Sequence, residues 1–295
     1  RDKRLFPGER DDVREIALFG ADSSSSRLVR RDGKFVIEAG SGAAKLADRA
    51  DRERVEALLS DLSGLTADRF VDPPTALPEM GFDPPFGRLE IGLVNRKDPV
   101  RIEIGGLVGG VAEGEMPARY VRVEGQIGTA REHLSEAIAR GAAEWRSRAI
   151  VGLDVYQVER AQISDEQGKL DLERDGADWR RGKDYIPFTP VSDLLYLLTT
   201  IEAEKIASLA EAKSLGANLA KPTITFDLGG EKDEKEKVEI FPAGAAGVPV
   251  RTEGRDVILF VPEAKIADLR AKLVALRAEK AIPKSEGKSE SDPDR

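Results

Sequence analysis

Residues 55–65 read VEALLSDLSGL, and residues 191–201 read VSDLLYLLTTI. In both stretches apolar residues recur at i, i+3, i+4, i+7 and i+10, which is the stripe of an amphipathic helix. The stripe consists of Val55, Leu58, Leu59, Leu62 and Leu65 in the first stretch and, 136 residues later, of Val191, Leu194, Leu195, Leu198 and Ile201 in the second. The sequence therefore predicts two equivalent helices, one in each half of the chain.

The sequence around the two helices repeats as well. LVRRDGKF at 28–35 is typical of two strands around an Asp-Gly turn, and LDLERDG at 170–176 repeats that pattern before the second helix. Alternating strands are predicted after each helix, at 88–92, 100–104 and 120–123 in one half and at 223–227, 238–241 and 257–261 in the other. A closing helix is predicted in each half, with Thr129 as the N-cap in the first and Pro262 just before the start in the second.

Strands that follow one another with short turns indicate antiparallel pairing. We therefore predict the α+β fold class, with two tandem structural repeats that each contain a mainly antiparallel sheet and two helices. The predicted organisation is a linker at 1–11 after a missing N-terminal segment, repeat 1 at 12–150, repeat 2 at 151–283, and a disordered tail at 284–295 without apolar residues.

Composition excludes several classes of function. The 295 residues include 46 Lys+Arg and 54 Asp+Glu, a net charge of −8, which argues against a nucleic-acid binder. The chain has no cysteine and one histidine, His133, so a thiol nucleophile, a disulfide and a Cys/His zinc site are not expected. We predict no cofactor, no metal and no catalytic residue.

The remaining motifs favour structural interpretations. The glycine-rich run at 105–110 lacks the Gly-Lys-Ser/Thr end of a phosphate loop and is interpreted as a flexible connection between strands. The serine run at 23–26 and the charged run at 231–237 are interpreted as a solvated loop and a solvated hairpin tip. His133 is predicted to be an exposed helical histidine, and Trp145 and Trp179 are predicted to be packing residues.

The sequence GFDPP at 81–85 is predicted to form a structural turn. Gly81 supplies a positive φ, Asp83 forms an Asx turn, and Pro84 stiffens the entry to the next strand. Gly216 and Asn218 are predicted to form the equivalent turn in the second half, where Asn218 replaces Asp83.

Together these motifs resemble the domain-of-unknown-function family 4340. The resemblance covers about residues 5–275 and rests on VEALLSDLSGLTA at 55–67, GFDPP at 81–85, IGG at 104–106, YVRV at 120–123 and RSR at 146–148. It implies an extracytoplasmic domain, held at the inner membrane by an N-terminal segment absent from this chain. It also implies association with auxiliary subunits of gliding-motility-type ABC transporters, and it carries over no activity.

We therefore expect a non-enzymatic, periplasmic interaction or scaffold module whose partner is an ABC transporter or one of its auxiliary subunits. One alternative is a module that binds a small molecule or an envelope glycan in a groove between the repeats. A second alternative is a carboxylate-based hydrolase, because 54 acidic residues leave an Asp/Glu pair possible.

Overall fold

The computed structural model describes residues 3–21, 25–39, 46–71, 77–109, 117–231 and 234–283. The chain folds as two units, Arg1–Ser147 and Arg148–Arg295, which we call the N-terminal and C-terminal units. Each unit contains one nine-stranded sheet and a hydrophobic core of its own. The predicted tail at 284–295 lies outside the described residues.

The sheet of the N-terminal unit has the strand order β4-β3-β2-β1-β6-β7-β8-β9-β5, and its pairings are antiparallel. Its strands are β1 (Val13–Gly20), β2 (Ser25–Arg31), β3 (Lys34–Ala39), β4 (Leu46–Arg49), β5 (Arg69–Phe70), β6 (Gly87–Leu93), β7 (Val100–Leu107), β8 (Arg119–Val123) and β9 (Gln126–Ala130). Its helices are α1 (Arg52–Ser63) and α2 (Leu134–Ala139).

The sheet of the C-terminal unit has the equivalent order, β13-β12-β11-β10-β15-β16-β17-β18-β14. Its strands are β10 (Val158–Asp165), β11 (Gly168–Asp175), β12 (Asp178–Arg181), β13 (Asp184–Ile186), β14 (Lys205–Ser208), β15 (Ile224–Gly230), β16 (Lys235–Ile240), β17 (Val248–Thr252) and β18 (Val257–Val261). Its helices are α3 (Phe188–Thr200), α4 (Leu209–Ser214) and α5 (Glu263–Ala278).

The predicted α+β fold class is wrong, because the protein is mostly antiparallel sheet, with 44% strand and 25% helix. The closing helix of the first half was predicted to start too early in the sequence, directly after Thr129. Residues Glu124 and Gly125 both have positive φ and form a two-residue turn, so the chain returns as β9 instead of starting a helix. Thr129 consequently lies in β9 and is not an N-cap, and α2 begins only at Leu134.

The predicted count of two helices per repeat fails for the C-terminal unit. The N-terminal unit has two α-helices among its described residues, but α2 is only six residues long, whereas the C-terminal unit has three. The additional helix, α4, starts with a capping box in which Ser208 and Glu211 bond reciprocally to each other's backbone N–H groups.

The repeated apolar stripe forms the centre of each core. All ten of its side chains are buried: four on α1 and Leu65 after it belong to the N-terminal core, and four on α3 and Ile201 after it belong to the C-terminal core. Asp51 caps α1 by accepting a hydrogen bond from the Arg54 N–H at 3.0 Å, and Gly64 follows its last turn. The predicted Asp-Gly hairpin is confirmed, since Asp32 and Gly33 have positive φ between β2 and β3.

In each unit a later segment of the chain bonds to one end strand of the sheet. In the N-terminal unit the Ser147 N–H donates to the carbonyl of Arg49 at the end of β4 (2.8 Å). In the C-terminal unit the Ile282 N–H donates to the carbonyl of Tyr185 in β13 (2.8 Å). One residue of each end strand, Arg49 of β4 and Tyr185 of β13, therefore has a backbone partner on the side away from the neighbouring strand.

Candidate functional site

The predicted turn at 81–85 packs against a strand of the N-terminal sheet. Gly81 has a φ of +71°, and the Asp83–Pro84 peptide bond is cis. A Cβ atom on Gly81 would lie 2.5 Å from the backbone nitrogen of Gly106, and one on Gly105 would lie 2.5 Å from the carbonyl oxygen of Met80. The glycines on both sides are thus required by the close approach of two backbones.

This contact corrects the interpretation of the glycine-rich run. Gly105 and Gly106 are part of β7, and Gly105 is buried, so they are not a flexible connection. Gly109 follows the strand, and residue 110 lies outside the described part of the chain. The serine run is also reinterpreted: Ser25 and Ser26 belong to β2, while residues 23–24 are not among those described.

The equivalent turn in the C-terminal unit keeps only part of this arrangement. Gly216 has a φ of +78°, and the Asn218 side chain accepts a hydrogen bond from the Ala220 N–H at 3.2 Å, as in an Asx turn. No atom lies within 4 Å of a Cβ built on Gly216. The five predicted turn residues therefore belong to two turns, one in each unit.

His133 is the residue before α2, and about half of its side chain is exposed. Its Nδ1 atom lies 3.8 Å from a carboxylate oxygen of Glu136. Asp61 on α1 interacts electrostatically with both residues and with Arg140, and its partial burial raises the pKa of its carboxyl group. These side chains lie where α1 and α2 of the N-terminal unit contact each other.

The charged run at 231–237 contains a side chain that sequence reasoning missed. Glu236 in β16 is buried, and its carboxylate accepts hydrogen bonds from the N–H groups of Gly152 and Leu153 at 2.8–3.1 Å. The interpretation of the whole run as a solvated hairpin tip is therefore wrong for Glu236. Trp145 and Trp179 are buried, as predicted for packing residues.

The outer faces of both sheets carry ion pairs between neighbouring strands. Several arginines there lie beside a carboxylate of the adjacent strand. Examples are Arg27–Glu15 (2.8 Å), Arg101–Glu90 (3.1 Å), Arg122–Glu103 (2.5 Å), Arg180–Glu173 (2.9 Å) and Arg251–Glu239 (2.5 Å). These faces are polar surfaces on which the named charges neutralise one another.

A different surface lies beside α3 in the C-terminal unit. Tyr156, in the 3₁₀ helix Val155–Gln157, is 78% exposed, Tyr196 on α3 is 61% exposed and Phe188 at the start of α3 is 44% exposed. Val155–Gln157 contacts α3, and Phe188, Ser192 and Tyr196 follow one another at four-residue spacing along one side of that helix. We call Tyr156, Phe188 and Tyr196 the aromatic face.

Sequence reasoning did not identify the aromatic face, although a signal was present. The stripe of α3 was recognised, but Tyr196 lies outside it, at the position that Ser60 has in the first stretch. Large apolar residues that occur at regular spacing on the solvent side of a helix are such a signal.

Metal-binding clusters and membrane-spanning helices are absent from the described residues. No group of three or more His, Cys, Asp or Glu side chains there is arranged to hold a metal ion. Within the same part of the chain, none of the helices has the length and apolar character that crossing a bilayer requires.

Comparison with protein families gave one match. The family described as Domain of unknown function (DUF4340) matches residues 43–222, which is more than half of the chain. The chain belongs to this family. The DUF4340 match runs from the region before α1 to the region after α4 and so includes α3 with Phe188 and Tyr196. Comparisons with curated proteins and with solved structures gave no match.

Proposed function

We propose that the protein is a non-enzymatic interaction module that works outside the cytoplasm, at the inner membrane, as an accessory to an ABC-type transporter complex. The aromatic face carries the proposal. Apolar patches of several large side chains on a soluble surface are typical of protein–protein binding sites, and tyrosine is enriched among the residues that dominate binding energy. The transporter partner and the location come from the family resemblance of the sequence motifs.

The charge distribution adds support. The outer sheet faces present paired Arg and Glu side chains, which favour water as a neighbour. The aromatic face instead presents two tyrosines and a phenylalanine, whose removal from water on binding is favourable.

The test is purification of the full-length protein from membranes of its own host in mild detergent, followed by mass spectrometry. We expect transporter or auxiliary subunits to be recovered in a fixed proportion to the protein, and to remain bound after a high-salt wash. Recovery of the protein alone, under conditions that keep other membrane complexes intact, would overturn the proposal.

A further inference from the structure

We propose that Asp32 is a site of spontaneous isoaspartate formation and that the fold protects its counterpart, Asp175, from the same modification. The tripeptide Arg-Asp-Gly stands at 31–33 and again at 174–176, in the equivalent hairpins β2–β3 and β11–β12 of the two units. Because the reacting residues are the same, a comparison of the two sites tests the effect of their folded surroundings. The reaction is independent of the proposed function.

The reaction is an intramolecular dehydration followed by hydrolysis. In the carboxylic acid form of Asp32, the backbone nitrogen of Gly33 attacks the side-chain carboxyl carbon, and the hydroxyl group leaves with the amide proton as one water molecule. The product is a five-membered succinimide ring. Water then breaks one of the two C–N bonds of the ring: cleavage at the side-chain carbonyl restores aspartate, and cleavage at the backbone carbonyl leaves isoaspartate. Water is the one co-reactant.

Asp32 lies in the turn itself. Asp32 and Gly33 have φ of +48° and +79° and form a two-residue turn between the paired residues Arg31 and Lys34. Both turn residues are exposed, and among the described residues no atom beyond the chain neighbours lies within 4 Å of a Cβ built on Gly33. Within the same part of the chain, no side chain forms a hydrogen bond or ion pair with the Asp32 carboxylate. Rotation toward ring closure therefore breaks no side-chain contact, and glycine adds no Cβ to hinder it.

Asp175 is held in place by its neighbours. It is the last residue of β11, and its Oδ2 atom accepts a hydrogen bond from the Tyr185 hydroxyl at 2.7 Å. The Nε atom of Arg180 lies 3.7 Å from the same oxygen. The Nε atom of Arg174 donates to the carbonyl of Gly176 at 3.3 Å, which ties down the next residue as well. Ring closure at Asp175 therefore requires its carboxyl group to leave both the hydroxyl and the guanidinium group.

A third turn shows that the backbone conformation alone does not define the site. Glu124 and Gly125 connect β8 to β9 with φ of +49° and +81°, nearly the values of Asp32 and Gly33. Glutamate has one more methylene group, so the corresponding ring would have six members and closes more slowly. Asp32→Glu is therefore a control substitution that this turn conformation accepts.

The modification would act on the β2–β3 hairpin. Isoaspartate routes the main chain through the side-chain carbon atoms and so adds one backbone atom to the two-residue turn. Because the length of the turn sets the register of the strands on either side, the Arg31–Lys34 pair would no longer fit. We therefore expect β3, and β4 paired to it, to be less stable in modified chains.

The test is prolonged incubation of the folded full chain in mildly acidic water enriched in heavy oxygen, followed by proteolysis and mass spectrometry. Each passage through the ring adds one heavy oxygen atom, and chromatography separates the isoaspartate peptide from its aspartate isomer. We expect about tenfold more label at Asp32 than at Asp175, the factor by which a hydrogen bond to a charged group would slow ring closure. Asp32→Glu should give no isoaspartate at this position.

Two further measurements show whether the fold causes the difference. In urea, which unfolds the chain, we expect the peptides of Asp32 and Asp175 to take up label at similar rates. Tyr185→Phe, with thermal unfolding to verify that it is folded, should increase labelling several-fold at Asp175 and leave Asp32 unchanged. Equal labelling of both sites in the folded protein, no isoaspartate at Asp32, an undiminished difference in urea, or unchanged labelling at Asp175 in Tyr185→Phe would overturn the inference.

Discussion

Glu236 and Val100 occupy equivalent positions in the two sheets, but one is a charged residue and the other an apolar residue. Val100 lies opposite Ile91, and Glu236 lies opposite Leu228, so both positions face a core. The glutamate is tolerated there because its carboxylate accepts three hydrogen bonds from backbone N–H groups at the start of the C-terminal unit. Glu236 thereby fixes the position of Gly152 and Leu153, which precede the first strand of this unit.

We expect Glu236→Gln to destabilise the protein by about 1–3 kcal/mol, because an amide NH₂ group replaces one of the accepting oxygens. Urea unfolding measures the change. Lys235→Gln, at an exposed position of the same strand, is the matched control and is expected to change stability by less than about 0.5 kcal/mol. Equal effects of the two variants would contradict this account of Glu236.

Asp61 is a partly buried carboxylate whose loss of hydration is not fully offset by the charges around it. Burial raises its pKa above the ordinary value of 3.8; His133 and Arg140 lower the pKa, whereas Glu136 raises it. Because the pKa is higher in the folded than in the unfolded protein, the folded state binds this proton more tightly. As the pH rises through the pKa of Asp61 in the unfolded and then in the folded protein, the ionised carboxylate destabilises the folded state increasingly. Above both pKa values this destabilisation is complete and constant.

We expect Asp61→Asn to raise the Tm at about pH 7, where the wild-type carboxylate is ionised, and to raise it less at about pH 3. Thermal unfolding of both proteins at the two pH values measures this. Asp268→Asn, an exposed carboxylate on α5, is the control and should not show the same trend. A gain for Asp61→Asn that is as large at about pH 3 as at about pH 7 would contradict the assignment.

At the scale of elements, the contact between the turn at 81–85 and β7 explains why glycines are required. We expect Gly105→Ala to destabilise the protein by about 1–3 kcal/mol, because the added methyl group collides with the Met80 carbonyl. Gly109→Ala is the matched control, since among the described residues no atom beyond its chain neighbours lies within 4 Å of its Cβ position. Denaturant unfolding measures the free energy of unfolding of both variants. If residues 105–109 were a flexible loop, both variants would instead change it by similar, small amounts.

The elements that sequence analysis predicted well are those whose burial imposes a period. The stripes of α1 and α3 belong to this group, because burial of one helix face requires an apolar residue at every third or fourth position. The Asp-Gly hairpin was predicted for a different reason: its two turn residues need a positive φ. β4 and β13 were missed because strands of three or four residues are too short to show a period, and their conformation depends on pairing with β3 and β12.

The candidate site was harder to predict than the stripes. Glu236 lies in a run of charges, and the backbone groups that it binds are more than 80 residues away in sequence. Tyr196 is one of four tyrosines, and its exposure follows from which side of α3 meets the sheet. Comparison of α3 with α1, position by position, is the sequence signal that identifies it.

At the scale of the whole molecule, each unit has its own core and its own tryptophan. Trp145 is buried in the N-terminal core and Trp179 in the C-terminal core. Since the chain has two tryptophans, Trp179→Phe leaves a fluorescence reporter for the first unit, and Trp145→Phe leaves one for the second.

We expect Leu59→Ala to destabilise the unit reported by Trp145 by about 2–5 kcal/mol and to affect the signal of Trp179 less. Leu195→Ala, at the equivalent position of α3, is expected to give the reverse pattern. Denaturant titration followed by fluorescence measures both. Identical shifts at both reporters for each variant would contradict the assignment of separate cores.

The hydrogen bonds from Ser147 to Arg49 and from Ile282 to Tyr185 have a consequence for behaviour at high concentration. An end strand with free backbone groups is a template on which further chains polymerise into fibrils. The bonds from Ser147 and Ile282 each occupy one backbone carbonyl of an end strand and place a segment of the same chain beside it. A chain truncated before Ile282 should therefore aggregate sooner than the full chain, which thioflavin fluorescence and light scattering would detect.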